Sequence, residues 1–550
     1  MKFNKKWLLF IVLIGVWGCD NFLGYDETTI TSEEKVFSNP GYTKSFLNNI
    51  YSRLPEGFDD IGNSMRSSAS DEAVEIQPLA AVNRFNDGSW SAIQTIDAQW
   101  ANMSAGIRAV NRFLEETEGQ KFEDRRFNED YDQWMEQFEL YPYEARFLRA
   151  LFYFELIKRY KSVPLITSVL EVDEANSIEP ESFDNIVDFI VSECDEIASE
   201  LPVDYSAVPN NETGRATRGA AMALKARTLL YAASPLHNEN GNVDKWKEAA
   251  SAAKEIIDAG WYSLESDYGN ILNNRTSNEL IFERRLGSSN NFEQSNFPIG
   301  FEGATPRGTA PTQNLVDAYE MQSTGMRIED AGSGYDVDNP YQGRDPRMNQ
   351  TIIVNNSQWK GQLVEIWNEG QHGPPQVGAT VTGYYLKKGV IESVNLEPGR
   401  TTTAIHTWPL FRYGEVLLNY AESMNEAYGP NDPADLGMSA TEAVNLVRQR
   451  ADMPDFPAGM GQSAFRQKLH NERKVELAFE DHRFWDIRRW KMGPETTDIY
   501  GMEITRSSGE EFNYNRFLVQ SRLWDDRMYL YPIPQTELFI NESLVQNPGW

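Results

Sequence analysis

Apolar residues recur at helical spacing in several long segments of the chain. Pro142–Tyr160 carries a broad apolar stripe, as a packed helix does. Arg218–Ala233 is rich in alanine, which lets neighbouring helices approach closely, and it stops before Pro235, which cannot continue a helix. Lys245–Ala259 is a second alanine-rich segment, and Gly260 follows it at a C-cap position. These patterns predict long, closely packed helices.

Three more helical segments follow near the C-terminus. They cover Arg412–Tyr428, Ser439–Ala451 and Ser463–Phe479. Such segments come in pairs with short or moderate connections, which is typical of helix-hairpin arrays, although no strict 34-residue repeat is visible. We therefore expect a mostly α fold.

The segment from about residue 288 to residue 407 has a different pattern. It contains many Gly, Pro, Asn and Ser residues and short β-like runs such as Thr351–Val354. Long irregular insertions on a rigid scaffold tend to present binding residues, although a purely decorative insertion is the alternative. No linker divides the chain, so we expect residues 19–550 to form one domain with a loop-rich insertion.

The N-terminus has the pattern of an export signal. Three lysines in the first six residues precede an apolar run from Trp7 to Trp17, which is too short to span a membrane. Gly18 and Cys19 then supply the small residue and the cysteine that a lipoprotein signal peptidase requires. We expect residues 1–18 to be a lipoprotein signal peptide and Cys19 to be lipidated, with ordinary secretion as the alternative.

Composition and charge restrict the partners of the protein. With 40% hydrophobic residues among 550, the chain can bury a large core. The formal net charge of −31 argues against nucleic acid and against a basic patch on anionic lipid. After Cys19 no apolar run approaches eighteen residues, so we expect the lipid anchor to be the only contact with a membrane.

The two cysteines do not predict a disulfide. Cys194 lies among Ile186, Ile190 and Ile197 at helical spacing, which favours a buried thiol over a reactive one. Since Cys19 is expected to carry lipid, we predict that no disulfide holds the fold.

Several stretches, in order along the chain, resemble the SusD/RagB family of surface nutrient-binding lipoproteins. They are Tyr143–Leu156, Gly214–Pro235, Asn445–Pro454, Glu472–Trp490, Tyr531–Leu538 and Asn547–Trp550. They include unusual words such as Glu-Leu-Ala-Phe-Glu, and they extend to the end of the chain.

The resemblance implies a fold, a location and a partner. The fold would be SusD-like, with four tetratricopeptide-like helix pairs and a loop-rich irregular half. The protein would be anchored by lipid in the outer membrane and face the cell exterior, and Asp20 directly after Cys19 resembles the acidic signal for that destination. The partner would be a TonB-dependent outer-membrane transporter of the SusC type, to which a captured glycan is delivered.

One charged segment in these stretches admits a catalytic or a structural interpretation. Alternating signs at three- and four-residue spacing favour a structural ion-pair network, and we assign the neighbouring Trp485 and Trp490 to the core. The charged residues are Arg473, Glu476, Glu480, Arg483, Asp486, Arg488 and Arg489.

Local motifs for catalysis are missing from the sequence. The five histidines are scattered without zinc spacing, and no nucleophile elbow or phosphate-binding glycine loop occurs. We therefore expect no cofactor, no metal and no enzymatic activity, and keep a surface glycosidase only as a remote alternative.

Binding is better supported, because sugars pack on aromatic rings while their hydroxyls need polar partners. By analogy with the family, we expect the early loop around residues 71–90 to combine with loops of the second half, although a core role is the alternative for each tryptophan. In order of rank, the candidates are Trp90, Asp71 and Arg84, then Trp359 and Trp367, then Tyr385 and Trp408. A glycan is the expected ligand, and a peptide bound by the same scaffold is the alternative.

Overall fold

A computed structural model describes residues 32–206, 208–305, 307–507 and 511–550. The predicted signal peptide at residues 1–18 and the predicted lipidation at Cys19 lie outside these ranges. Within them, none of the helices combines the length and apolar character that crossing a bilayer requires.

Helices dominate the described residues, which confirms the predicted mostly α class. The α-helices are α1 Glu33–Phe37, α2 Pro40–Tyr51, α3 Asn83–Asp87, α4 Trp100–Thr117, α5 Tyr131–Phe138, α6 Tyr141–Tyr160, α7 Val172–Ala175, α8 Phe183–Ala198, α9 Arg218–Ala233, α10 Val243–Ala259, α11 Asn291–Asn296, α12 Gln313–Ala318, α13 Pro346–Thr351, α14 Tyr413–Tyr428, α15 Ala440–Arg450, α16 Gln462–Glu476, α17 His482–Arg489 and α18 Gln535–Ile540.

Local capping explains where the predicted helices begin and end. Helix α9 has the predicted bounds, and α10 starts two residues before the predicted Lys245 because the Asn242 side chain accepts a hydrogen bond from the Asp244 amide. Gly260 ends α10 in the left-handed conformation, with φ of 66°. Helix α14 starts one residue later than predicted, because Arg412 still belongs to a strand.

The long helices pack against one another in succession, and we call this part of the molecule the helical layer. Helix α4 packs on α6, α6 on α8, α8 on α9, α9 on α10, α10 on α14, and α14 on α15 and α16. Their apolar faces share one core, in which the Cys194 thiol is buried as predicted. The division into four tetratricopeptide-like pairs stays a prediction.

Strands are short, and those in the described residues pair as two-stranded antiparallel sheets. The pairs are β1 Ala73–Glu75 with β3 Thr309–Pro311, β2 Leu280–Arg285 with β8 Thr407–Arg412, β4 Ile352–Ile353 with β7 Tyr385–Leu386, β5 Gln358–Trp359 with β6 Gln362–Leu363, and β9 Asp498–Arg506 with β10 Phe512–Ser521.

The predicted loop-rich segment 288–407 contains only short helices and strands, and it contributes most of a second hydrophobic core. A network of buried charges joins this half to the helical layer. Glu476 of α16 forms ion pairs with Arg347 (2.8 Å), Arg412 (2.9 Å) and Arg450. Arg347 also pairs with Glu472 (2.6 Å), one turn earlier in α16.

The charged C-terminal stretch is structural, as its spacing predicted. Arg473 lies 3.3 Å from Asp486, which also pairs with Arg489 at 2.7 Å. Trp485 and Trp490 are both buried, in agreement with their assignment to the core.

Candidate ligand-binding clefts

A short antiparallel ladder brings the early loop of the chain against the second half. Strand β1 pairs with β3, and the Ile76 amide continues the ladder by donating to the Gly308 carbonyl at 2.9 Å. The Thr312 hydroxyl donates to the Asp71 carbonyl at 2.6 Å, at the other end. The two regions expected to build the site are therefore neighbours.

Beside this ladder lies a cleft of about 400 Å³, which we call cleft A. Its walls come from residues 56–65, 286–296 and 307–309, and His406 closes one side. Much of its lining is polar, from the side chains of Glu56, Asp59, Asn63, Ser288, Asn291 and Arg307.

Aromatic rings form the floor of cleft A. Phe58 packs against Phe292 with ring centroids 4.6 Å apart and against His406 at 5.4 Å. Trp408 lies behind Phe58, at 4.9 Å. A Cβ atom on Gly57 would lie 1.9 Å from the Trp408 indole, so the absence of a side chain there lets the loop pass over the ring.

Glycine is also required on the opposite wall. Gly308 has φ of 125°, and a Cβ atom there would lie 2.0 Å from the Ser295 carbonyl oxygen. The Gly308 amide donates to Glu75 Oε1 at 3.1 Å, which ties this wall to strand β1. The close approach of Gly308 to the Ser295 carbonyl therefore fixes the position of the wall that contains Arg307.

Cleft A contains both acidic and basic side chains. Burial first, and then the hydrogen-bonded Asp59, raise the pKa of Glu56 to about 7. Arg307 lines the same cleft, and its buried Nε has no hydrogen-bond partner among the described residues. His406 Nε2 lies 2.7 Å from Glu293 Oε1, which holds the imidazole in place. The cleft thus offers both donors and acceptors.

A second cleft, of about 550 Å³, lies elsewhere in the loop-rich half, and we call it cleft B. Residues 366–368, 374–383 and 502–504 form its walls, and Phe517 of β10 adds an aromatic ring. Its polar side chains are those of Asn368, Gln376, Thr380 and Glu503.

The residues ranked first from the sequence lie mostly in other roles. Trp90 is only 2% exposed, and its ring packs on Phe85 (4.8 Å), Tyr531 (5.2 Å) and Trp550 (4.5 Å). A ring enclosed in this way has no free face for a sugar, so Trp90 belongs to the core in this structure. Arg84 is exposed on α3 and lines neither cleft.

Asp71 is likewise committed to structure. Its carboxylate pairs with Arg483 at 2.8 Å and with Lys474 at 2.9 Å. Although burial raises the pKa of Asp71, these two cations hold it well below its ordinary value. A carboxylate with two buried cationic partners positions the early loop and does not face either cleft.

Three of the remaining four candidates support the clefts from behind, and Trp359 packs elsewhere in the second core. Trp408 underlies the floor of cleft A, while Trp367 and Tyr385 brace the loop that forms cleft B. Trp359 is 1% exposed and packs edge-on to Phe297 at 5.4 Å. None of the four rings lines either cleft, so none of them faces the space that a ligand would occupy.

Sequence reasoning missed the residues that line the clefts. The run Ser288–Asn291 carries a polar signal within the loop-rich segment, yet it contains no tryptophan. Phe517 lies on a strand for which the sequence analysis made no prediction. Ranking loops by tryptophan content therefore selected core residues, because a large ring is also what a loop-rich core needs.

The described residues also give no structural support for a metal centre. No group of three or more His, Cys, Asp or Glu side chains in the part of the chain that the structure describes is placed to hold a metal ion.

Comparison with known proteins places the chain among similar sequences and structures. The family model described as the SusD family matches residues 271–550. A SusD-like protein of Formosa agariphila, P25, is 22% identical over 100% of this chain and 98% of its own length. A SusD-like protein of Bacteroides fragilis has a structure that superposes with a TM-score of 0.78 at 28% identity, covering 94% of this chain and 99% of the other. A second structure from that species, titled a SusD-like carbohydrate binding protein, gives 0.74 at 25% identity, covering 93% and 100%.

Proposed function

Since this chain belongs to the SusD family, we propose that it is a non-catalytic receptor that captures glycans at the cell surface. Lipid on Cys19 would hold it to the outer membrane, facing outward. A SusC-type TonB-dependent transporter would receive the captured glycan. One similar protein is itself titled a carbohydrate binding protein, which supports the choice of ligand.

The observation that carries the proposal is the composition of cleft A. A sugar presents C–H-rich faces and a fringe of hydroxyl groups, so it needs an apolar surface beside several donors and acceptors. Cleft A exposes the edges of Phe58 and Phe292, which are 7% and 8% exposed, at its floor, and places Asn63, Asn291 and Arg307 around them. Its volume of about 400 Å³ lies within the range of small-ligand sites.

The carboxyl groups in cleft A support binding without catalysis. Glu56 and Asp59 are hydrogen bonded to each other. Glycosidases hold their two carboxyl groups about 5 to 9.5 Å apart, so that a sugar and a water fit between them. A pair in direct contact favours a receptor over a hydrolase.

Affinity electrophoresis of the full-length protein in detergent tests the proposal, with reducing sugar assayed in parallel. We expect one class of polysaccharide to retard the wild type without sugar release. Asn291→Ala should weaken retention roughly fivefold, since a net hydrogen bond contributes about 1 kcal/mol. Asn49→Ala is the control, because Asn49 is exposed on α2, which contributes no residue to cleft A.

Three results would contradict the proposal. Release of reducing sugar would make the protein a hydrolase. Retention of peptides in place of every glycan would move the ligand to the alternative class. Equal retention of the Asn291→Ala and wild-type proteins would remove cleft A from the binding site.

A further inference from the structure

We propose that cleft B is a second carbohydrate subsite, which takes uncharged sugar units of the same polymer that cleft A binds. This inference rests on the proposed function and adds the class of sugar that the protein binds. It is based on the shape of cleft B, on the residues that line it and on the buried contacts behind its walls.

Cleft B presents an apolar surface that a sugar face can cover. Phe517 is 39% exposed, and Pro374 and Pro375 are exposed beside it. Phe517 pairs across the hairpin with Gly501, and a Cβ atom on Gly501 would lie 3.0 Å from the phenyl ring. Because Gly501 has no side chain, the phenyl ring of Phe517 can pack against strand β9. The other side of the ring faces cleft B.

Polar groups stand around that surface at several points. Asn368 Nδ2 donates to Glu503 Oε1 at 3.2 Å, which orients an amide and a carboxylate together at the rim. Gln376 is exposed on the opposite loop and Thr380 lies deeper. Amide and carboxylate oxygens next to a ring are well suited to sugar hydroxyl groups.

The charge of the lining selects among sugars. Among the described residues that line cleft B, Glu503 is the one charged side chain, and none is Lys or Arg. A sulfated or carboxylated sugar would need a cation at this point and would also meet a protein of formal net charge −31. Cleft B therefore favours uncharged sugar units.

The walls of cleft B are held from behind by buried contacts. The Tyr385 hydroxyl donates to the His372 carbonyl at 2.7 Å and accepts from the Thr380 amide at 3.2 Å. Trp367 packs on Phe512 at 5.2 Å, at the turn end of the hairpin. Pre-organised walls reduce the ordering cost of binding, so a shallow site can still contribute to affinity.

One segment of chain runs from cleft A towards cleft B. Ser295 and Asn296 line cleft A, and five residues after Asn296 the ring of Phe301 stacks on His372 at 4.7 Å. His372 is followed two residues later by Pro374 of cleft B. A polymer long enough to reach both clefts gains avidity from the second contact, whereas a short oligosaccharide does not.

The test compares a polymer with a short oligosaccharide, using the full-length protein in detergent. The probes are uncharged and anionic polysaccharides in affinity gels, and di- to tetrasaccharides of the retained polymer by calorimetry. We expect Phe517→Ala to weaken retention by the uncharged polymer roughly tenfold, through loss of both stacking and avidity. Its oligosaccharide affinity at cleft A should be unchanged.

Leu518→Ala is the matched control, because Leu518 is 51% exposed on the same strand and does not line cleft B. The control should retain wild-type affinity for the polymer. If Phe517→Ala and wild type are retained equally while Asn291→Ala loses binding, the second subsite is refuted and the proposed function stands. Stronger retention of the wild type by anionic than by uncharged polysaccharides would also overturn the inference. So would proline-rich peptides that displace the polysaccharide from Phe517. If wild type binds no glycan at all, both proposals fail.

Discussion

The helical layer and the loop-rich half are stabilised by different kinds of contact. In the helical layer, caps act over three or four residues: Ser439 and Glu442 form a capping box at the start of α15. In the loop-rich half, Arg344 donates to the carbonyl groups of Tyr319 (2.7 Å), Pro340 (2.8 Å) and Val316. One side chain there replaces the backbone partners that a helix would supply.

This difference shows why two cores can coexist in one chain of ordinary composition. The helices satisfy their own backbone and bury apolar faces. The loops form irregular backbone hydrogen bonds, and the buried side chain of Arg347 additionally links them to α16. The ion pairs of Arg347 thus tie the loop-rich half to α16, whereas the helices combine local caps with buried ion pairs of their own, such as Arg149 with Glu193.

The largest effect should come from Glu476, where the two halves meet. Glu476→Gln would remove the buried anion that Arg347, Arg412 and Arg450 share and leave the cluster with one uncompensated positive charge, so we expect unfolding to require about 3 to 5 kcal/mol less free energy. Urea unfolding followed by circular dichroism measures this change. Glu196→Gln is the control, since its ion pair with Arg146 is largely exposed and contributes little. Equal stability of the two variants would refute the claim that ion pairs hold the halves together.

Arg344→Met isolates the loop-rich half. The variant keeps most of the side-chain volume and leaves three buried carbonyl groups without their donor, so we expect a loss of about 2 to 3 kcal/mol. Hydrogen exchange should become faster around residues 316–344 before it changes in α9. Arg400→Met, on an exposed side chain, provides the comparison. Uniform acceleration across both halves would count against separate modes of stabilisation.

Glu72 gives a pH-dependent test at the junction with the early loop. Burial first, and then Asp71, raise its pKa to about 8, so the folded protein binds this proton more tightly than the unfolded chain. The stability that this raised pKa contributes is present below the ordinary value near 4.5 and is lost as pH rises to 8.

Glu72→Gln should therefore gain about 3 kcal/mol relative to wild type when pH rises from 5 to 8. Unfolding midpoints in guanidinium chloride at the two pH values measure this gain. The control is Glu34→Gln, because the Glu34 side chain is exposed. The difference between its midpoints at the two pH values should equal that of wild type. A variant with the same pH dependence as wild type would show that Glu72 is ionised throughout.

The smallest effect belongs to the helical layer. Ser439→Ala removes one capping hydrogen bond from α15 and should lower stability by about 1 kcal/mol. The midpoint of urea unfolding measures it, with the exposed Ser192→Ala as control. A loss as large as that of Arg344→Met would mean that local caps matter as much as long-range contacts.

The sequence predicted the helical layer well because its signals are local. The bounds of α9 are read directly from an alanine-rich run and the following Ser234-Pro235, and Gly260 marks the end of α10. Four of the six family motifs fall largely on the long helices, and the predicted membership in the SusD family is confirmed.

The clefts could not be predicted in the same way, because their residues meet through contacts between distant segments. Nothing near Trp90 in sequence indicates that Tyr531 and Trp550 enclose it. Likewise, Phe517 acquires its place in cleft B from a glycine on the opposite strand and from the loop at residues 374–383. Residue type suggested aromatic rings for a ligand, while burial decides which rings a ligand can reach.

The ladder between β1 and β3 has a consequence for the order of folding. The Gly308 amide and the Glu75 carboxylate that it binds are 233 residues apart, so closing this contact costs chain entropy that no local interaction offsets. Helices such as α9 can form long before that closure. We therefore expect cleft A to form late in folding. A protein molecule that binds a ligand in cleft A must already have assembled both halves.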